Sequence, residues 1–383
     1  MNTTAPRIAI VGAGPGGLTC ARILQVHGIT ATIFDADASR TARDQGGTLD
    51  LHADSGQIAL RSAKLLEEFL RLARPEGQQM RLLSSDAAVL FDKEPEGEQD
   101  GNPEIDRGQL RDLLLDSLAP DTVRWGHEVT YVGPLGDGAH RLHFAGGATA
   151  DADLVIGADG AWSRVRRLLS PEAPTAPVYT GVTFVEAGLN DADTRHPDLA
   201  ALTGDGTMMA LDDNKALIAQ RNSNQHIRVY IGLRADRDWY ERAGIDLADT
   251  AAVQKALLKE FAAWSPDLLG LITDTDTGYI NRPLYALPVP HTWNHTPGVT
   301  LLGDAAHLMS PFSGMGANLA MLDAADLAMA LATSSTIDQA IRAYEAVMLP
   351  RSAQAAEGAA EGLDSAFAPD SAEQSLAHMN AHH

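Results

Sequence analysis

Cysteine is almost missing from this chain: Cys20 is the only one in 383 residues. That excludes a disulfide within the chain and any metal site built on cysteines. Positive charge is short as well, with 29 Lys and Arg against 51 Asp and Glu and a net charge of −22. So acidic a chain repels nucleic acid and anionic lipid, which removes both as expected partners. An anionic cofactor then has to be held by local donors and a few arginines. Long unbroken apolar runs are absent too; the run from Ile8 is interrupted by glycines and a proline, which argues against a membrane span. Met1 to Pro6 shows no basic segment followed by an apolar core, so no signal peptide is expected and the cytoplasm is the expected compartment. No repeat and no long low-complexity tract occurs. Hydrophobic content is 45 %, ordinary for a globular protein, and the length suits two domains or one composite domain.

What is present begins with Ile8-Ala9-Ile10-Val11-Gly12-Ala13-Gly14-Pro15-Gly16-Gly17. It reads as a short buried strand, a glycine turn, and a helix opening through Leu18 to Leu24. Asp35 closes a second apolar run, Ala31 to Phe34, 18 residues after Gly17. That is the dinucleotide fingerprint in its expected context. Gly12 permits the tight turn, Gly14 lets backbone approach a pyrophosphate, and Gly17 lets helix pack on strand. The helix start supplies N–H donors and a positive dipole end, and Asp35 is placed to accept from a ribose hydroxyl.

Residues 7–35 therefore read as β-α-β. Asp54 to Ala73 carries helical spacing at Ile58, Leu65, Leu66, Phe69 and Leu70, and Arg107 to Leu118 is an amphipathic helix. Residues 92–103 form a polar loop. Val123 to Phe144 alternates and breaks at Gly133-Pro134 and Gly136 to Gly138, which predicts strands and a hairpin. From Val178 to Leu233 apolar and polar residues alternate between turn signals, as in antiparallel strands with one wet face. Thr250 to Trp264 reads as a helix, Val299 to Asp304 as a buried strand, and the region through Glu361 as helical. The tail beyond Pro369 is polar and expected to fray. Its His378, His382 and His383 read as solvated rather than as metal ligands. The fold class is α/β, an α+β composite in which α/β segments flank a β-rich insert.

Two further segments follow strands in the same manner. Leu154 to Gly157 leads into Asp159-Gly160-Ala161-Trp162-Ser163-Arg164-Val165-Arg166, where a carboxylate, a glycine and arginines suit a phosphate-bearing cofactor; capping of a helix start by Asp159 or Ser163 is the alternative. Gly303-Asp304 opens a loop through Pro311, Phe312, Gly314 and Gly316 to a helix near Ala317 and Asn318, presenting N–H groups and a dipole end to an electron-rich ring edge. No Gly-x-Ser-x-Gly follows a strand, so a serine hydrolase is not indicated. His307 is expected to be structural rather than catalytic.

Gly12/Gly14/Gly17, Asp159-Gly160 and Gly303-Asp304 together resemble, in order and spacing, the FAD motifs of class A flavoprotein monooxygenases, over nearly the whole chain. Within that family, Gly46-Gly47-Thr48-Leu49-Asp50-Leu51-His52, Asn102 to Arg107 and Gly303 to Phe312 look like the tetracycline-degrading flavin monooxygenases, or tetracycline destructases. The resemblance implies a Rossmann-like FAD-binding domain over residues 1–177 and 286–340. It implies an antiparallel β-sheet substrate domain over 178–285, and a bridging helix and tail over 341–383. Asp50, Arg107 and Asp304 are implied to contact FAD and Arg43 to contact NADPH. Gly314, Gly316 and Asn318 complete the cofactor set, and Pro311 and Phe312 form an apolar floor near the isoalloxazine. The family's substrate-gripping arginine and histidine fall at Thr207 and Arg228, and a methionine of its C-terminal helix falls at Ala366, so with Phe312 these are the candidate substrate residues.

The implied activity is oxygenation of an aromatic or enolic polycyclic compound, with a tetracycline-type antibiotic among the implied substrates, using FAD, NADPH and O2. The chemistry takes place at flavin C4a and no side chain is assigned as catalytic. Arg107 and Arg111 lie on one helix face, with Arg111 either supporting Arg107 or sitting on the surface. A flavin-dependent halogenase is disfavoured because Trp293 is flanked by Thr292 and Asn294 and no Trp-x-Trp-x-Ile segment occurs. An O2-independent reductase, a biosynthetic polyketide hydroxylase and a Baeyer–Villiger oxygenase stay open. A drug-sequestering protein has no need of intact cofactor motifs. A monomer is expected, since no sustained exposed apolar stripe occurs.

Overall fold

The computed structural model describes residues 5–95, 101–170 and 176–382. The middle of the polar 92–103 segment, residues 96–100, and His383 lie outside the described residues. Five strands make an all-parallel sheet in the order Val299–Leu301, Leu154–Gly157, Ile8–Val11, Ala31–Phe34, Val123–Arg124. Ile8–Val11 and Leu154–Gly157 are buried throughout, as continuous apolar runs covered on both faces must be. The first helix, Pro15–Val26, and the central helix, Met315–Thr333, pack on one another beside this sheet. Their closeness depends on Gly16, where a Cβ would stand 2.8 Å from the carbonyl of Ala320. Cys20 is fully buried between them, and burial pushes its thiol up to about 12, so it serves as a small core residue. The central helix is long and apolar enough to cross a membrane by length and composition, and much of it is inside the protein.

A second sheet of seven strands runs in the order Ile280–Ala286, Val178–Leu189, Ile227–Arg234, Lys215–Arg221, Thr207–Asp212, Met80–Leu83, Val89–Lys93. The last two cross the sequence-based domain boundary: they belong to residues 1–177 yet extend the substrate sheet, through a parallel pairing of Met80–Leu83 with Thr207–Asp212. No alternation signalled this, because parallel pairing between distant segments leaves no local pattern. The boundary at 340/341 also falls inside one helix, Ile337–Ala366.

The expected wet face is not wet. One side of the sheet is covered by Leu199, Val253, Leu257, Phe261, Leu268 and Leu271 from surrounding helices. The other packs on Leu363, Ala366, Phe367 and Met379 from the C-terminal helices. The tail does not fray: Ser371–His382 is a helix, and Met379 and Leu376 dock against the sheet. Asp54 to Ala73 forms two helices, Gly56–Ser62 and Leu66–Leu72, because Lys64 between them adopts a left-handed φ of 58°. Gly133-Pro134 lies within the strand Val129–Gly136, and the hairpin to Ala139–Phe144 turns at Asp137-Gly138.

Candidate active site

The parallel strands bring Gly12, Asp35, Asp159 and Gly303 to one edge of the sheet, the side where open α/β sheets bind ligands. Gly12 has φ +107°, and a Cβ there would meet the Ala158 carbonyl oxygen at 2.3 Å. Gly17 is tighter still, with a Cβ 2.1 Å from the Gly12 oxygen. Gly14 is the opposite case, with nothing within 4 Å of an added Cβ. It caps the helix Pro15–Val26 without a side-chain partner, and Pro15 has no N–H, so the first-turn amides of Gly16 and Gly17 face an open cradle. That is a fit for a pyrophosphate. Asp35 is buried and accepts from the amides of Ala13 at 2.6 Å and Asp37 at 2.8 Å. It ties the glycine turn to the second strand and retains lone pairs for a ribose hydroxyl.

Asp159 braces its own loop rather than capping the helix Arg166–Leu169, whose N-cap residue, Val165, makes no side-chain cap. Its carboxylate accepts from Ser163 Oγ and the Arg164 amide, both at 2.6 Å. Burial pushes its pKa up, against those hydrogen bonds. Gly160, at φ +72°, leaves open space beside it. Arg166 is 1 % exposed and donates to the carbonyls of Ala161, Asp304 and Ala305, clamping the Asp159 loop to the Gly303 loop. It therefore shapes two cofactor loops rather than reaching for a phosphate. Asp304 projects from the same place, exposed, with no hydrogen bond or ion pair to its carboxylate among the described residues.

Behind Asp304 lies a buried ionic cluster. Asp323 of the central helix, 0 % exposed, accepts from the Gly303 amide at 3.0 Å and from Arg351 at 2.9 Å, and bonds His307 Nε2 at 2.6 Å. Burial works against both charges, yet the mutual attraction prevails: His307 is raised and Asp323 lowered. This is the structural role expected of His307.

The other end of the groove is built by the loop Pro311–Gly316. Gly314, at φ +67°, caps the central helix, and the first-turn amides of Gly316 and Ala317 have no intrahelical acceptor. The Asp50 carboxylate oxygens lie 3.5 and 3.8 Å from where a Gly314 Cβ would be. Asn318 is fully buried: its Nδ2 donates to the Asp50 carbonyl at 2.8 Å, and its Oδ1 accepts from the amides of His52 and Gly56. Asn318 thus positions the Asp50 segment against the glycine loop, a role its place in the motif did not reveal. His52 Nε2 sits 2.8 Å from Asp50; burial opposes its proton, and the Asp50 carboxylate more than restores it.

Glu104 lies in the strand paired with Thr48–Asp50 and is bonded by Thr48 Oγ1. Burial pushes its carboxyl up to about 7; Thr48 and Arg74 pull down, Asp50 and Asp106 push further up. The folded protein holds this proton longer than the unfolded chain, so stability falls as pH rises from 4.5 to 7, by up to about 3 kcal/mol. Glu104→Gln is expected to raise the melting temperature at pH 8 and leave it nearly unchanged at pH 4.5, as thermal melts at the two pH values will check.

Facing this loop, the substrate sheet presents one side of its strands. Register places Thr207, Gln220 and Arg228 in one row, with Ile218, Tyr230 and Glu186 in the next and Phe184 beyond. Phe184 packs on Tyr230 at 5.5 Å and on Phe312 at 6.0 Å between ring centroids, and Phe312 meets Phe367 at 5.6 Å. The candidate substrate residues Thr207, Arg228 and Phe312 therefore share this face. Ala366 packs in the same cluster, at the end of the long helix. Phe184, Glu186, Tyr230 and Phe367 were not picked out from the sequence, although i, i+2 alternation flags 184/186 and 228/230 as neighbours on one face. Gly47 joins the two halves: a Cβ there would stand 2.7 Å from Tyr230 Oη.

Arg107 opens the helix Arg107–Asp116 beside Gly46, exposed and with no ion pair among the described residues. Arg111 is not on the surface. It is 3 % exposed and donates to the carbonyls of Ala13 and Arg40, holding the glycine turn to the loop after Asp35. Arg43 is exposed and paired with Asp37 at 2.9 Å.

A glycine-turn parallel-sheet domain whose loops leave an open cradle, facing an aromatic-lined antiparallel sheet across a central helix, defines an FAD-dependent monooxygenase. The chain belongs to the class A flavoprotein monooxygenases: the model of the FAD binding domain family matches residues 6–359. Monooxygenase asqM of Emericella nidulans is 34 % identical over 372 residues, covering 84 % of this chain and 83 % of that one. The structure of HpxO from Klebsiella pneumoniae, complexed with FAD and uric acid, superposes with a TM-score of 0.81 at 22 % identity, over 98 % of this chain and 92 % of that one. The tetracycline destructase Tet(55) superposes with a TM-score of 0.75 at 21 % identity, over 100 % and 95 %.

Proposed function

We propose that this monooxygenase uses NADPH and O2 to hydroxylate an electron-rich ring, a phenol or enol within an aromatic or polycyclic compound. The observation that carries the reading is the aromatic wall of Phe184, Tyr230, Phe312 and Phe367, set beside the Pro311–Gly316 loop with its unengaged amides. Uric acid bound to HpxO and the destructase activity named for Tet(55) show flat, polar ring systems handled on the same fold.

Bound FAD, once reduced by NADPH, would activate O2, so that one oxygen atom goes to the substrate ring and the other leaves as water; the residues do the rest. Gly12, Gly14 and Gly17 with the first-turn amides hold the pyrophosphate, Asp35 a ribose, and Arg107 and Asp304 further cofactor oxygens and hydroxyls. The amides of Gly316 and Ala317 stabilise negative charge that builds on the ring edge of the cofactor. The mutually packed rings of Phe184, Tyr230, Phe312 and Phe367 form an apolar wall against which the substrate ring would lie, and they keep water from that side. Arg43 is the candidate contact for a nicotinamide cofactor's phosphate, in competition with Asp37. Incubation with FAD, NADPH and a panel of tetracyclines, anthracyclines and simple phenols is expected to consume O2 and give a product heavier by one oxygen atom by mass spectrometry. NADPH oxidation without O2 uptake would make the protein a reductase instead.

A further inference from the structure

Two arginines stand on the substrate-facing side of the sheet, and both are already matched by carboxylates. Arg228 donates through one terminal nitrogen to Glu186 and through the other to Asp44 at 2.9 Å. Arg282 donates to the second oxygen of Glu186 at 3.1 Å. Glu186 is 13 % exposed and Arg228 11 %, so the central pair is sheltered, whereas Asp44 is 76 % exposed. Glu186 is the cross-strand neighbour of Tyr230 and lies two residues from Phe184, at the edge of the aromatic wall. Two guanidinium groups and two carboxylates therefore cancel where a ring substituent would arrive.

We propose that Glu186 sets the charge preference of this site: it admits a ring bearing a neutral acceptor, such as a phenol, enol or amide carbonyl, and disfavours the same ring bearing a carboxylate. The inference rests on reading the Phe184–Phe312 wall as the substrate site. An incoming carboxylate has either to displace Glu186 from a sheltered guanidinium or to lie beside its charge, and like charges at close range in a low-dielectric site repel strongly. A neutral acceptor meets no such barrier. Arg228 keeps one further donor, its Nε–H, which is buried and has no acceptor among the described residues. Thr207 and Gln220, in the same row, add uncharged polar atoms. Arg107, the remaining cation whose charge reaches Tyr230, stands on the cofactor side at the start of its helix.

The test is calorimetric titration of the FAD-loaded protein with 4-hydroxybenzamide and 4-hydroxybenzoate, with flavin content read separately from the visible spectrum. The wild-type protein is expected to bind the amide about tenfold more tightly than the benzoate, and Glu186→Gln to shift that ratio toward the benzoate by about tenfold or more. Asp44→Asn, at an exposed position that cannot unfold the core, is expected to shift the ratio in the same direction by about threefold. A wild-type preference for the benzoate overturns the proposal, as does a ratio that stays put in both variants. Failure of both probes to bind a yellow, folded wild-type protein overturns it too, because the aromatic face is then not a single-ring site. A colourless protein that takes up no FAD defeats the oxygenase reading itself.

Discussion

Gly12→Ala is expected to purify colourless and to bind FAD about a thousandfold more weakly than the parent protein. The backbone at Gly12 holds φ +107°, which costs an alanine roughly 1–3 kcal/mol before any contact is considered. The new Cβ would also lie 2.3 Å from the Ala158 carbonyl oxygen. Ala158 precedes Asp159 and Gly160, so relieving the clash moves the second cofactor loop as well as the first. Together the terms reach about 4 kcal/mol, or about three orders of magnitude in affinity. Gly14→Ala is the informative companion. Its side chain has open space and an ordinary φ of −80°, so the FAD-free protein should melt as the parent does while FAD affinity still falls. Fluorescence titration with FAD, beside thermal melts without it, separates the two cases; unchanged affinity in both would remove the glycine turn from the cofactor site.

Asp323→Ala is expected to lower stability by about 3–5 kcal/mol and the melting temperature by about 4–6 °C. The substitution leaves His307 and Arg351 as sheltered cations without their shared partner and frees the Gly303 amide. The Gly303-Asp304 turn loosens with it, so FAD affinity should fall alongside stability. The ion pair carries its own pH signature. His307 is raised above 6.5, so its contribution is complete below that value and is lost as pH climbs through the elevated pKa. Asp323 is held below 3.8, so its contribution is complete above that value and is lost as pH falls through the depressed pKa. The pair therefore acts fully between about pH 4 and 6.5. The difference in melting temperature between parent and variant should be largest in that window and shrink on either side. A difference that is flat with pH would mean that packing, not charge, holds the turn.

How much of this was legible beforehand depended on whether the signal was local. The glycine turn, the buried strands at Ile8 and Leu154 and the second helix-opening loop at Gly314 each carry their chemistry within a dozen residues, and each is where the spacing put it. Asp159 was readable in both roles, and the structure shows its carboxylate bonded to Ser163 and Arg164 within its own loop. Arg111 could be read as a surface residue and Arg166 as a phosphate contact, yet both are nearly fully buried against backbone carbonyls of other loops. No sequence period encodes such a partner. The attachment of Met80–Leu83 to the substrate sheet was hidden for the same reason. Asp323 did leave a trace, as an acid in an apolar helix, where burial demands a cation; the cation proved to be supplied from the next helix, by Arg351. The aromatic cluster needed register: Phe184, Tyr230, Phe312 and Phe367 come from four separate parts of the chain and meet only once the sheet and the long helix are assembled.

The central claim is that one FAD molecule is gripped by the loops at Gly12, Asp159 and Gly303 and laid toward the aromatic face. Titration of the folded, flavin-stripped protein with FAD, followed by the visible spectrum and by quenching of flavin fluorescence, tests it most directly. The expected result is saturation at one FAD per chain with a yellow protein, and loss of that saturation in Gly12→Ala. A folded protein that stays colourless and leaves flavin fluorescence unchanged would contradict the account.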